Sequence, residues 1–357
     1  MLGIDQRVAR YTWTAAAVVL SLVLVYLLRR TLFIFIVALL FAYLLSPLVN
    51  FLDRFLPGRT RTAALAMAYI IFVGAVVLLG SQIGSLVAKQ ASDFAHQFPA
   101  MLAKWEAPAP EATPEMNSLK AQIVEKVRQQ LYESSSSIIA AAASAGLKFV
   151  TLAGDVLFVV IVPILAFFFL KDGRQIRDHM VDLVDEGPRR MLLEDLMADI
   201  HLLLAHYMRA LVVLSAAAFI AYATAFSIMG VPYAVLLAAV GGLLEFIPLL
   251  GPFTAGVMIV IVGAVAGFNV LPMIIFLLAY RVFQDYMLSP HLMGQGVELH
   301  PLLVLFGVFA GAEVAGIGGT FLSVPVLAMV RIVYVRIRKS RMAARLQPGP
   351  VTVESPL

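Results

Sequence analysis

No cysteine occurs among the 357 residues, which excludes disulfides, thiolate nucleophiles and Cys-ligated metals. Charge is scarce too: 13% of the residues are charged against 61% hydrophobic, with a mean hydropathy of +0.93. A soluble domain of this length needs far more polar surface, so the chain is expected to be a polytopic membrane protein. Period-two alternation is missing, which leaves helices rather than a barrel as the spanning element. Neither an H-E-x-x-H, a G-x-S-x-G nor a G-x-x-x-x-G-K motif is present, so intramembrane hydrolysis and ATP-driven transport by this chain alone are disfavoured. The six histidines show no ligand spacing; His201 and His206 are five apart, and His291 and His300 fall in loops. No catalytic group, metal or cofactor is expected. The net charge of +4 does not imply nucleic acid, because the basic residues lie where membrane flanks would put them.

What is present is a series of apolar segments, at about 12–28, 32–52, 63–88, 149–170, 211–229, 233–267, 271–289 and 301–335. The hydrocarbon core is about 30 Å thick and takes about 20 helical residues, a length several of them reach. The first is preceded by Arg7 and Arg10 like a signal peptide, but no small-residue cleavage site follows and Thr31 begins another apolar run at once. The organisation expected is a scaffold of N-terminal helices over 1–90, an amphipathic extracytoplasmic region over 91–136, a transmembrane helix within 137–170, a cytoplasmic amphipathic region over 171–210, a transport core over 211–335 and a basic tail over 336–357. Leu119, Ile123, Val127 and Leu131 mark the first amphipathic helix, and Leu193, Leu196, Ile200 and Leu203 the second. Lys148 and Asp155 are boundary residues.

Lysine and arginine favour the cytoplasmic side, which places 171–210 there together with Arg54, Arg59, Arg61 and the tail from Arg331 to Arg345. Arg29 and Arg30 fit only if they occupy a tight turn outside. With residues 210 and 331 on the same side, an even number of crossings must separate them. Segments 211–229 and 271–289 supply two, so 233–267 and 301–335 must each return to the side they came from. Each has room for two arms of about 15 residues, which at 1.5 Å per residue cover only about 22 Å. Both are therefore expected to be broken, re-entrant helical hairpins, giving seven to eight membrane segments in an all-α fold.

The two hairpins share a pattern. Glu245, Gly251 and Phe253 recur at identical spacing as Glu313, Gly319 and Phe321, and Pro248 falls opposite Gly316. Unwound backbone is tolerated at membrane depth only where it lines a cavity or is buried in protein, so repeated breaks point to a transport site. Pro252 is expected at the first position of the second arm, and Gly318, Gly319 and Thr320 are expected to supply flexible backbone and an N-cap, leaving N–H groups free for a ligand's oxygens. A glutamate at that depth costs about 2.5 kcal/mol or more unless protonated, paired or wet. Glu245 and Glu313 are thus the leading contacts for substrate or proton. Arg281 and Asp285, four apart, can pair on one helix face with Gln284 beside them. Gly80 and Gly84, Gly263 and Gly267, and Gly307 and Gly311 have the small-xxx-small spacing that lets helices approach closely, which makes a homo-oligomer plausible.

"MGVPYAVLLAAVGGLLEFIPLLGP" and the later "LSPHLMGQGVELHPLLVLFGVFAGAEVAGIGGTFLSVPVLAMV" closely resemble the two hallmark regions of the autoinducer-2 exporter family. A looser likeness extends to "LLFAYLLSPLVNFLDR" and to the "FFLKDGRQ" junction. The resemblance implies a permease of the bacterial inner membrane whose members are described as exporters of a quorum-sensing furanone or as sodium (lithium)/proton antiporters. It would carry over Glu245, Pro248, Gly251 and Pro252 in the first region, and Pro290, Gly294, Pro301, Gly311, Gly319 and Pro325 in the second. The chain departs at Ala210-Leu211, where many relatives have Gly-Gln, and at Gln284, where many have a glutamate that could carry a coupled ion; Asp285 stands next to it. The function expected is secondary transport of a small polar solute, furanone export or Na+/H+ exchange. A non-transporting scaffold that presents its amphipathic helices to partners is the rival from another class, with an enzyme a distant third.

Overall fold

The computed structural model describes residues 6–55, 61–106, 156–293 and 299–346, and every regular element among them is helical. The expected positions Leu119 to Leu131, Lys148, Asp155 and Gly294 lie outside the described residues. Helix α1 (Gln6–Leu27) runs into α2 (Arg29–Phe55) with no reversal. Leu28 donates to Leu24 O at 2.8 Å and accepts from Leu32 N at 2.9 Å, so the helical ladder continues across the joint. The tight turn expected at Arg29 and Arg30 does not form, because nothing in "YLLRRTLF" breaks a helix. None of the apolar window of α1 is buried within the chain.

Helix α3 (Arg61–Glu106) has 46 residues, about 69 Å of helix, and continues well past residue 88. Phe98 and Leu102 explain the extension, since they bury against Val265 and keep an apolar face where the sequence turns polar. Helix α4 (Val156–Asp182) crosses the "LKDG" junction without a break. Pro188 then opens α5 (Pro188–Met229) directly after Gly187, a position where its missing N–H is no loss. Arg190 bridges this corner, reaching Asp182 at 3.0 Å and Glu194 at 3.3 Å. The 42 residues of α5 amount to about 63 Å, twice the hydrocarbon thickness and more than one crossing needs.

Gly230, in the left-handed region, ends α5, and the first hairpin follows as α6 (Ala234–Leu244) and α7 (Leu250–Val265). Tyr233 precedes it with φ 60°, and Gln90 of α3 accepts from Leu236 N at 2.9 Å, satisfying a donor in the first turn of α6. Asn269 caps α8 (Val270–Phe283) by accepting from Leu271 N at 3.1 Å. A π-helical turn (Gln284–Leu288) and the short α9 (Ser289–Met293) complete that rod. The second hairpin is α10 (Pro301–Leu346), in which Ala315 and Gly316 leave helical geometry. Its arms fold back on each other: a side chain at Gly307 would strike Leu327, and one at Gly311 would strike the Gly319 carbonyl. Both pairs would be far apart in a straight helix.

Two packing regions result. Ala42, Leu45 and Val49 of α2, Leu65 and Ala68 of α3, and Ala166 and Leu170 of α4 form an N-terminal cluster. The first hairpin is packed between α5 and α8 through Tyr222, Phe226, Leu237, Ile259, Met273 and Tyr280. Leu40 of α2, Tyr207 and Leu211 of α5, and Leu322 of α10 tie the regions together.

Candidate functional site

The bend of the first hairpin is built by residues that oppose helix within an apolar run. Pro248 removes a donor, and Leu249 adopts φ 66°, ψ −54° while Leu250 donates to Pro248 O at 2.7 Å. That combination is a γ-turn of the strained kind, unusual for a residue with a Cβ. Gly251 donates to Ile247 O at 3.0 Å, and a side chain there would fall on the Leu244 carbonyl, so the arms meet where only glycine fits. Pro252 occupies the third position of α7 rather than the first. The donors of Leu250 and Gly251 are spent on local carbonyls and Pro252 has none, so this helix start does not offer the row of free N–H groups the sequence suggested.

The bend positions a carboxylate instead. Glu245 caps the end of α6 and is 6% exposed. Gln284 Nε2 donates to its Oε2 at 2.7 Å, joining the hairpin to α8 across 39 residues. Gln284 is 2% exposed and opens the π-helical turn, in which Ser289 donates to Gln284 O. Pro290 accounts for the widened turn: a proline ring clashes with the carbonyl four residues back, and a π-bulge relieves that clash. Such bulges are frequent at functional sites.

A cavity of about 860 Å³ opens beside this pair. Its walls are α5 from Asp199 to Leu214, the hairpin bend with Glu245, Pro248, Leu249 and Pro252, and the α8–α9 rod with Arg281, Gln284, Asp285 and Ser289; Val304, Val324 and Ile332 of α10 also contribute. Arg281 Nε donates to Asp285 Oδ2 at 2.8 Å, the i,i+4 pairing the spacing suggested, with both side chains partly exposed. Among the described residues four buried side-chain oxygens lack a hydrogen-bond partner: Tyr207 Oη, Glu245 Oε1, Tyr280 Oη and Gln284 Oε1. Three of these residues line the cavity.

The second hairpin contributes less. Glu313 is exposed and lines no part of the cavity. The break falls at Ala315 and Gly316, where Gly316 has φ 59°, two residues before the Gly318-Gly319-Thr320 stretch expected to provide it. Those three residues are helical and serve packing: a side chain at Gly318 would strike Phe33 of α2, Gly319 admits the Gly311 carbonyl, and Thr320 Oγ1 donates back to Gly316 O at 3.1 Å rather than capping a helix. Phe246 and Phe321, with centroids 6.1 Å apart, bring the first bend against the second hairpin.

Two features escaped the sequence. Tyr207 sits on the apolar face of α5 with Leu204 and Leu211, where periodicity alone reads as core. Arg336 grips Asp199 with two bonds, at 2.6 and 2.9 Å, and Asp195 with a third at 2.9 Å, linking α10 to α5 across 137 and 141 residues. No local pattern signals a pairing of that separation. Among the described residues no group of three His, Asp or Glu is arranged to hold a metal ion.

Among the described residues, six helices long and apolar enough to cross a membrane, two helical hairpins and a buried carboxylate at a helix break beside a cavity define a multi-pass membrane protein of the transporter class. The chain belongs to the AI-2E transport family, described as AI-2E family transporter, which it matches over residues 16–339. It is similar to YueF of Bacillus subtilis strain 168, provisionally named a transport protein, at 25% identity over 87% of this chain and 86% of that one. MT0215 of Mycobacterium tuberculosis, named in the same way, is 29% identical over 82% of this chain and 79% of its own. PerM of Escherichia coli K12, provisionally named a permease, is 24% identical over 84% and 85%.

Proposed function

We propose that the chain is a secondary transporter of the bacterial inner membrane that moves a small polar solute through the cavity, with export of a furanone-type signal as the specific reading. The observation that carries it is the buried Glu245–Gln284 pair at the bend of the first hairpin, on the cavity wall. An ionisable group at membrane depth is expensive and marks a pathway by default. In this reading both hairpins are re-entrant, residues 171–210 and the tail are cytoplasmic, and the hairpin-bearing half moves against the N-terminal helices to expose the cavity alternately to each side. Among the described residues nothing would meet a side chain at Gly80 or Gly84, which suits close contact with a second copy.

A second reading, sodium (lithium)/proton antiport, is favoured by the same carboxylate, because one buried acid can exchange a proton for a cation. Sealed vesicles containing the purified protein distinguish the two. A sodium-driven pH change that Glu245→Gln abolishes supports antiport; no signal with any cation, together with furanone efflux, supports export. Neither activity, together with a fully folded Glu245→Leu variant, would sink the transporter reading in favour of a membrane scaffold.

A further inference from the structure

Tyr207, Glu245 and Gln284 lie on three different elements, each at least nine-tenths buried, each with an unpartnered oxygen, and all on the wall of one cavity. An unpartnered buried polar atom is destabilising, and native structures keep few of them. We propose that Tyr207 is a third cargo contact, its hydroxyl acting together with Glu245 Oε1 and Gln284 Oε1 as a three-oxygen site that the cargo completes.

The chemistry of the wall limits what such a site takes. Gln284 Nε2 donates to Glu245 Oε2, and the pair leaves two buried acceptor oxygens, Glu245 Oε1 and Gln284 Oε1, without a partner. The phenol hydroxyl can accept or donate. The Leu250 and Gly251 N–H groups at the nearby helix start are consumed by Pro248 and Ile247, and Arg281 donates its Nε–H to Asp285. The three unpartnered oxygens therefore suit a group that presents positive edge to oxygen, either a small cation or the hydroxyls of a polyol. This role presupposes the transport reading above, since it is the passage of cargo that gives the cavity a use.

Tyr207→Phe removes the hydroxyl and keeps the ring that packs against Leu40 and Leu322. The full chain is compared with this variant in two measurements: thermal melting in detergent with sodium, erythritol or chloride salts of a bulky cation, and flux of sodium or erythritol in sealed vesicles. With no probe, the variant is expected to melt at the wild-type temperature or above it, because an unpartnered hydroxyl has been removed. With the probe that raises the wild-type melting temperature, the variant should need roughly five- to tenfold more of it, the share of one hydrogen bond, while its maximal flux is retained. A variant that melts lower without probe shows the hydroxyl to be structural and overturns the proposal. So does an unchanged probe dependence, or a wild type that responds to neither sodium nor erythritol. Binding that weakens in the variant without any wild-type flux leaves Tyr207 as a contact and removes the transport reading; flux with an unchanged half-saturating concentration does the reverse.

Discussion

The first hairpin bends over Glu245–Leu249 and holds its glutamate 6% exposed against Gln284, whereas the second bends at Ala315–Gly316 and leaves Glu313 facing outward. The two glutamates stand at the same distance from a glycine that lets the arms touch, Gly251 in one case and Gly319 in the other. Spacing is shared; surroundings are not. The first bend packs against the α8–α9 rod, whose widened turn aims an amide at the carboxylate, while the second places Gly318 against the aromatic ring of Phe33 of α2. A repeated pattern thus specifies the bend, and the neighbouring helix decides whether the bend becomes polar.

The sharpest way to break this contrast is to neutralise each glutamate separately. Glu245→Gln replaces a carboxyl acceptor by an amide beside Gln284, and transport is expected to fall about ten- to 150-fold, the range for a buried hydrogen bond to a charged group. Glu313→Gln should leave the initial rate within about twofold, as expected for an exposed side chain with no role. Equal losses in the two variants, measured in the same vesicle assay, would show that burial is the wrong criterion.

The shared part of the design makes the opposite forecast, equal effects in both hairpins. Gly251→Ala drives a methyl group toward the Leu244 carbonyl and Gly319→Ala drives one toward the Gly311 carbonyl. Each should lower stability by about 1–3 kcal/mol through overpacking, visible as a depressed melting temperature of similar size. A variant that melts like the wild type would mean that its hairpin arms separate readily in solution.

Much of this was legible in the sequence. The apolar segments among the described residues, the helix break near Pro248 and the i,i+4 pair of Arg281 and Asp285 follow from local rules, whereas the second break, expected at Gly318-Gly319-Thr320, falls at Ala315 and Gly316. The bond between Glu245 and Gln284 did not follow, because it depends on a π-turn that rotates one side chain inward, and single-sequence periodicity assumes 3.6 residues per turn throughout. Tyr207 was hidden for a different reason: an aromatic on an apolar face satisfies the core pattern whether or not its hydroxyl is partnered. The continuation of α3 past residue 88 and the absence of a turn at Arg29 are cases in which charged residues were read as boundaries although helix propensity ran through them.

Backbone strain distinguishes the bends again. Leu249 has φ 66° on a residue with a side chain, while the second hairpin places glycine, with φ 59°, at its bend. Gly316→Ala is expected to lose about 1–3 kcal/mol, because a Cβ is poorly tolerated in that region of conformational space. Leu249→Gly should have the opposite sign or none, since relief of strain offsets the entropy a glycine adds to the unfolded chain. If the strain at Leu249 is stored for use in moving the bend, that variant will melt no lower than wild type and yet transport more slowly. Unchanged transport would make the strained turn a by-product of packing.

The smallest effect is expected where the second hairpin is tied down far from its bend. Arg336 on its outer arm holds Asp199 and Asp195 of α5, and Asp199 and Ile332 line the same cavity as Glu245 and Gln284. The groups of this clamp are about one-third exposed on both sides of the 2.6 Å contact, which limits the contribution to about 1 kcal/mol or less. A double-mutant cycle on Arg336→Ala and Asp199→Asn should accordingly return a coupling of that size in melting experiments, shrinking as salt is added. A coupling several times larger would mean that the clamp is shielded from water in the membrane-embedded protein, and the second hairpin would then be anchored as firmly by its charged end as the first is by its buried glutamate.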